Sequence, residues 1–188
     1  SVGVVGPAAA AEMIAIAVEA MEASGAGRGE YVIRVNSRQL LDGIMETAGV
    51  VDPAQGATVL RALDKFDKFG VEGVTLLLGK GRKDESGDFT QGAGLAANQI
   101  DTLLEFTSAR SVTRAETVRK LANSVGMTQS GMEGVRDLDA IDEILKALGV
   151  EEQAVAFDPG IVRGLEYYTG PVFEAELLQE FRDADGNP

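Results

Sequence analysis

The spacing of apolar residues predicts helices over most of the first 149 positions of the chain. Within residues 8–24, Met13 and Ile16 lie on one face of a helix at the spacing that a buried stripe requires. Pro7 is suited to begin this helix and Gly25 to end it, because proline fits the first helical turn and glycine the position just past the last one. Further helices are predicted at residues 38–48, 54–69, 97–108 and 138–148, and after Thr113, which forms a capping-box pair with Glu116.

Three short stretches instead have the composition or the alternation of β-strands. These are residues 31–35, 154–157 and 172–177. In the last stretch, the side of Phe173 and Leu177 is expected to be buried and the side of the intervening glutamates exposed, since successive side chains of a strand point to opposite faces.

Strands on either side of a long helical block indicate an α+β fold with a helical insertion. We divide the chain into residues 1–36, a helix followed by a strand; residues 37–149, the insertion; and residues 150–188, which return to strands. Within the insertion, residues 79–94 carry five glycines and several charges and predict a mobile loop.

Composition excludes several kinds of chemistry. The 188 residues are 45% hydrophobic and 25% charged, as in soluble globular proteins, and include no cysteine and no histidine. Disulfides, zinc–thiolate sites, cysteine nucleophiles and Ser-His-Asp triads are therefore excluded from this chain. We predict no metal site, because the acidic group is placed at a helix N-terminus, where acids are favoured without a cation; its members are Asp137, Asp139, Asp142 and Glu143.

The net charge of −13, from 17 basic and 30 acidic residues, opposes an independent role in binding RNA. No apolar run approaches the ~20 residues that span a membrane, and residues 1–7 lack the basic start of a signal peptide. No membrane association is therefore expected. The first residue is Ser1 and the last residues, 183–188, are turn-like, so we expect a piece of a longer chain.

The segment between the last two predicted strands, residues 158–170, holds the most specific chemistry and is called the arginine loop below. It contains one arginine, several glycines and adjacent tyrosines in the run Arg163-Gly164-Leu165-Glu166-Tyr167-Tyr168-Thr169-Gly170. Glycine admits close approach of a ligand, arginine presents donors to phosphate or carboxylate, and tyrosine can orient a polar ring. The residues alone leave two interpretations open: a site for an anionic, partly aromatic ligand, or a turn in which Arg163 pairs with Glu166.

This run, continued by Pro171-Val172-Phe173-Glu174, closely resembles the histidine-specific loop of the histidyl-tRNA synthetases, a class II family. Three other stretches also resemble this family. Residues 31–44 resemble the strand and helix after its second class motif, residues 8–23 the helix that precedes this strand, and residues 61–70 the start of its helical insertion. The resemblance covers nearly the whole chain. It implies that residues 1–36 and 150–188 belong to an antiparallel-sheet catalytic domain.

The resemblance also implies roles for individual residues. Arg163 matches the family's arginine that stabilises the reacting carboxylate and phosphate during adenylation, and a fixed guanidinium suits that charge. Tyr167 and Tyr168, with Gly164 and Leu165, match the positions that bind the histidine substrate. Glu166 departs from the pattern mildly, since aspartate is frequent there.

The family implies a cytoplasmic homodimer that activates L-histidine with ATP and Mg²⁺ and transfers it to tRNA(His). This chain shows no counterpart of the first or second class motif, so alone it is expected to be inactive. The regulatory subunit of ATP phosphoribosyltransferase, a non-catalytic relative, is the alternative; the presence of Arg163 favours the enzyme.

A basic cluster in the insertion is the candidate contact with tRNA, because this region of the family lies near the acceptor arm. Phosphate contacts and a solvated helix face remain equally open for it. Its members are Arg110, Arg114, Arg119 and Lys120.

Overall fold

The computed structural model describes residues 6–83, 87–125, 127–162 and 168–178. Among them it contains seven helices: α1 (Pro7–Ala23), α2 (Arg38–Thr47), α3 (Pro53–Leu63), α4 (Phe66–Leu78), α5 (Ala97–Thr107), α6 (Arg114–Ser124) and α7 (Gln129–Ala147). It also contains five strands: β1 (Tyr31–Ser37), β2 (Gly81–Lys83), β3 (Phe89–Gln91), β4 (Val155–Phe157) and β5 (Pro171–Leu177).

One sheet gathers strands from both ends of the sequence, in the order β4-β1-β5. β5 runs antiparallel to β1, as expected for an antiparallel-sheet domain, but β4 runs parallel to it. The described part of the sheet is therefore mixed. β1 is buried along nearly its whole length because it lies in the middle, and the predicted α+β class is confirmed.

The predicted burial of β5 is wrong on one face. Phe173 and Leu177 do share a side of the strand, but their exposed fractions are 39% and 46%. β5 is the edge of the sheet among the described residues, so these side chains are covered only in part. The opposite face is used by Glu174 and Glu176, which reach the side chain of Arg34 on β1.

Most helix predictions are confirmed, but breaks inside helical stretches were not visible in the apolar spacing. The predicted helix over 54–69 ends at Leu63, and α4 begins at Phe66 and continues to Leu78 with a kink at Gly70. Gly70 has a φ of +60°, which glycine adopts at little cost and other residues rarely adopt. Apolar residues can thus keep a helical spacing across two separate helices.

α7 begins about two turns before its predicted start at residue 138, at Gln129, where the Thr128 hydroxyl accepts a hydrogen bond from the Gly131 N–H. The acidic group therefore lies in the middle of a helix, and its placement at a helix N-terminus is wrong. Asp142 is buried. Burial raises the pKa of Asp137, and the nearby Glu133 carboxylate raises it further.

Residues 79–94 contain two short paired strands and not only irregular backbone. β2 and β3 pair antiparallel, with Gly81 opposite Gln91 and Lys83 opposite Phe89. A Cβ at Gly81 would meet the Thr90 carbonyl oxygen, so the absence of a side chain permits the close approach. Glycines in this stretch make room for strand pairing, and the mobility of the stretch stays a prediction.

Within the helical block, α7 packs tightly on α2, the helix that directly follows β1. At the crossing of α2 and α7, a Cβ on Gly43 would lie 2.7 Å from the Gly131 backbone nitrogen, and one on Gly134 would lie 2.9 Å from the Leu40 backbone nitrogen. Glycine thus brings the two backbones together. A single apolar core runs from α1 through this crossing to the sheet. No helix within the described ranges is long and apolar enough to cross a membrane.

Candidate functional site at the arginine loop

The beginning of the arginine loop is held by the C-terminal half of β1. The Asp158 N–H donates to the Val35 carbonyl at 2.8 Å, which extends the pairing of β4 with β1 by one residue. The Asn36 side chain is buried, and its Nδ2 donates to the carbonyls of Ile161 at 2.8 Å and Pro159 at 3.3 Å. A strand residue thus satisfies the carbonyls of the turn that leads to residue 163.

The end of the loop is held next to its beginning. The Arg38 N–H donates to the Gly170 carbonyl at 3.0 Å, and Pro171 lies opposite Ser37 in the register of β5 with β1. Tyr168 follows the centre of the loop and is 55% exposed. Residues 35–38 therefore anchor both ends of the arginine loop at one point of the sheet.

The Asp158 carboxylate lies at the entry of the loop and is almost fully buried, with 6% of its side chain exposed. Its Oδ1 accepts the Gly160 N–H at 2.9 Å, which closes the turn. Its Oδ2 accepts the Arg34 Nε at 3.0 Å and the Arg110 Nη1 at 3.0 Å. Hydrogen bonds between charged groups are the stronger ones, so two cations fix this carboxylate.

The two arginines come from different parts of the fold. Arg34 belongs to β1, is 16% exposed at its side chain, and also pairs with Glu176 at 3.1 Å and Glu174 at 3.8 Å. Burial by itself lowers the pKa of Arg34, but the carboxylates of Asp158, Glu176 and Glu174 outweigh it and raise the pKa overall. Arg110 lies between α5 and α6, in the helical block. The start of the loop therefore connects the sheet to the block.

Most of the residues that the sequence suggests for histidine binding and catalysis lie outside the described residues; these are Arg163, Gly164, Leu165 and Tyr167. Tyr168 is described and accessible, as a ligand-binding residue must be. The structure does describe the residues that anchor the loop, namely residues 35–38 and Asp158. Arg34, Asn36 and Asp158 were missed by the sequence analysis, although an arginine and an asparagine two positions apart in an apolar strand do mark one polar face.

The basic cluster predicted for tRNA does not form one surface. Arg114 is 2% exposed at its side chain, and its Nε donates to the Asp142 carboxylate at 2.7 Å. Its remaining nitrogens donate to the carbonyls of Val150, Glu151 and Val155. The prediction that Arg114 lies on a basic surface is therefore wrong, because the guanidinium instead connects α6, α7 and the approach to β4.

The other three members of that cluster also differ from one another. Arg110 bonds Asp158, whereas Arg119, with 73% of its side chain exposed, and Lys120 project from α6 into solvent. Arg119 has a carboxylate nearby at 3.8 Å, that of Glu116 one helical turn before it. In the described part of the chain no group of three or more acidic, histidine or cysteine side chains could hold a metal ion.

Comparison with known proteins agrees with the resemblance. The family model described as histidyl-tRNA synthetase matches residues 1–179. The histidine–tRNA ligase of Caulobacter vibrioides is 50% identical over 100% of this chain, which spans 38% of that protein. The crystal structure of histidyl-tRNA synthetase from Nostoc sp. PCC 7120 superposes with a TM-score of 0.78 at 26% identity, over 93% of this chain and 38% of that one.

A structure from Bacillus halodurans C, described as an ATP phosphoribosyltransferase regulatory subunit/histidyl-tRNA synthetase, superposes with a TM-score of 0.71 over 93% of this chain and 40% of that one. At 20% identity it shows a shared fold and nothing further. The family model covers the sheet, the helical block and the arginine loop together. The chain belongs to the histidyl-tRNA synthetase family.

Proposed function

We propose that the protein containing this chain activates L-histidine with ATP to form histidyl-adenylate and then transfers the histidyl group to tRNA(His). The family membership supports this proposal. Because the chain spans about 38% of the length of the curated relative described above, the activity belongs to the whole protein and not to this portion. ATP with Mg²⁺ enters as a substrate.

The observation that carries the proposal is the anchoring of the arginine loop at both ends. Asn36 and Arg38 hold Ile161 and Gly170 by hydrogen bonds of 2.8 and 3.0 Å. A loop fixed in this way can hold its side chains in place before a substrate arrives, which lowers the entropic cost of binding and of reaching the transition state.

Within this loop we assign Arg163 to the adenylation step. Attack of the histidine carboxylate on the α-phosphate of ATP places negative charge on both groups, and a guanidinium beside them stabilises the charge more in the transition state than in the ground state. We assign Tyr167 and Tyr168, with the backbone at Gly164 and Leu165, to the histidine side chain. A site that hydrogen-bonds the imidazole rejects analogues that lack its nitrogens.

For tRNA we propose phosphate contacts by Arg119 and Lys120. Both are exposed on α6, and Lys120 borders an open groove of about 520 Å³ that Asn123 and Ser124 also line. A local basic pair of this kind is compatible with an acidic chain, since phosphate contacts act at short range in salt. Residues 37–149 are proposed as the insertion, residues 1–36 and 150–188 as catalytic-domain segments, and the protein as a cytoplasmic homodimer.

The test is histidine-dependent ATP–pyrophosphate exchange by the full-length protein, with an Arg163→Ala variant beside it. We expect exchange in the parent and a loss of about 100-fold or more in the variant, the size seen when one charge-stabilising donor is removed. Arg61→Ala is the matched control: Arg61 lies on the exposed side of α3, where it bonds the Thr58 hydroxyl.

Absence of exchange in a well-folded parent would refute the proposed activity and favour the non-catalytic regulatory subunit. Exchange that is equally strong in Arg163→Ala and in Arg61→Ala would leave the enzyme but remove Arg163 from the adenylation step.

A further inference from the structure

The entry of the arginine loop carries an ion cluster that the assigned roles do not use. Asp158 is separated from Arg163 by four residues, and its carboxylate accepts hydrogen bonds from Arg34 and Arg110 on one oxygen and from the Gly160 N–H on the other. A buried carboxylate satisfied in this way has one stable position. The backbone of residues 158–160 is fixed with it.

We propose that Asp158 is a positioning residue for the histidine-binding loop and that Arg110 makes this position depend on the helical block. This inference rests on the proposed function. The arrangement of the ion pairs supports it. Arg34 also pairs with Glu174 and Glu176, and Asp158 pairs with a second cation, Arg110 of the helical block. Without Arg110, the buried carboxylate keeps only a cation that two other carboxylates also attract.

The packing at the same point supports the coupling. A Cβ added at Gly160 would lie 3.7 Å from the carbonyl oxygen of Thr107, the last residue of α5, so the end of α5 lies beside the turn. Arg110 follows three residues later, so one short segment of the block both lies beside the turn and binds its carboxylate. A displacement of this segment moves the loop entry with it, and displacements of about 1 Å near reacting groups can cost about 100-fold in rate.

This role differs from the tRNA contact that the sequence suggested for Arg110. A phosphate contact acts only when tRNA is bound, whereas a positioning role acts already in the formation of the adenylate. Exchange measured without tRNA therefore separates the two. The two residues also form a direct pair, so their effects should be coupled rather than additive.

The experiment measures the KM for histidine and kcat in tRNA-free exchange for Asp158→Asn, Arg110→Ala and the double variant of the full-length protein. Asparagine keeps an oxygen for the Gly160 N–H and removes the charge that binds the arginines. We expect kcat/KM to fall by about tenfold in each single variant, with a raised KM for histidine, and little further in the double variant. Arg61→Ala should match the parent.

The KM is the decisive quantity, because partial unfolding reduces the amount of active enzyme without changing the KM of the remainder. An unchanged KM for histidine in both single variants, with exchange intact in the parent, would overturn the inference and leave the proposed function standing. Losses that multiply in the double variant would also overturn it. Should Asp158→Asn not fold, Arg110→Ala still decides the matter, because the Arg110 side chain is 45% exposed. Loss of exchange in the parent itself would count against the proposed function.

Discussion

The crossing of α2 and α7 allows a sharp prediction about stability. Gly43 on α2 faces Gly131 on α7, and a Cβ added at Gly43 would lie 2.7 Å from the Gly131 nitrogen and 2.8 Å from the Thr128 hydroxyl oxygen. Ordinary contacts of such an atom begin at 3.4 Å. Because the added Cβ would come closer still to the Gly131 Cα, the variant Gly43→Ala must push α7 away by more than about 0.7 Å or deform one of the helices.

The magnitude follows from two opposing terms. Overpacking of a tight contact costs about 1–3 kcal/mol, and the upper part of that range applies because backbone atoms of α7 cannot rotate out of the way. Alanine within a helix gains about 1 kcal/mol over glycine. The net loss of stability is about 2 kcal/mol, which corresponds to exchange of protected amide hydrogens faster by a factor of about 30.

The assay is amide hydrogen exchange of α2 and α7 in the full-length protein, together with its thermal unfolding. Gly56→Ala in α3 is the matched control: Gly56 is also buried in a helix, but an added Cβ there meets as its nearest atom the Met45 sulfur at 3.7 Å. It should leave stability unchanged or raise it by up to about 1 kcal/mol. Equal behaviour of the two variants would refute the close crossing of α2 and α7.

Two further predictions concern charged residues. Asp142→Ala removes the buried carboxylate from Arg114 and leaves it, among the described carboxylates, only the more distant Glu152, at 3.6 Å. It should cost about 3 kcal/mol, seen as a lower midpoint of thermal unfolding. Asp139→Ala on the exposed side of α7 should stay within about 0.5 kcal/mol, and equal midpoints would contradict the buried pair. Replacing Arg119 and Lys120 together by glutamate should raise the KM for tRNA in aminoacylation by about tenfold at low salt, and an unchanged KM would contradict the proposed phosphate contacts.

The sequence predicts the helices and strands of this fold better than it predicts which of their faces are buried and where a helical stretch is interrupted. α1, α2 and α5 follow their predicted limits within one or two residues. The face predicted to be buried in α1 is wrong, because Met13 and Ile16 are 42% and 47% exposed while Ile14 and Val18 are buried. The break between α3 and α4 leaves the helical period almost intact, so periodicity cannot show it. The exposure of Phe173 depends on which strand lies beside β5, and alternation along one strand does not contain that information.

For the candidate site, local sequence identified the loop but not its support. Arg34 and Asp158 are 124 positions apart, and Arg110 and Asp158 are 48 apart, so no local pattern joins them. The same limit explains Arg114, whose basic neighbours in sequence suggested a surface while its partners in space come from α7 and residues 150–155. A charged side chain is assigned to solvent by default, and only the tertiary structure shows where a partner makes its burial favourable.

Two kinds of contact in the helical block indicate that the position of the arginine loop depends on the block. One is the close glycine crossing of α2 and α7, and the other is the ion pair of Arg110 with Asp158. The glycine crossing holds α7 against α2, and α2 begins at Arg38, one of the residues 35–38 that anchor both ends of the arginine loop. Arg110, between α5 and α6, binds the start of the same loop at the Asp158 carboxylate. Packed helices resist small continuous displacements. A displacement of the block would therefore act on the loop at two points, through α2 and through Arg110. If α6 contacts tRNA as proposed, these two connections would link that contact to the residues proposed to bind histidine.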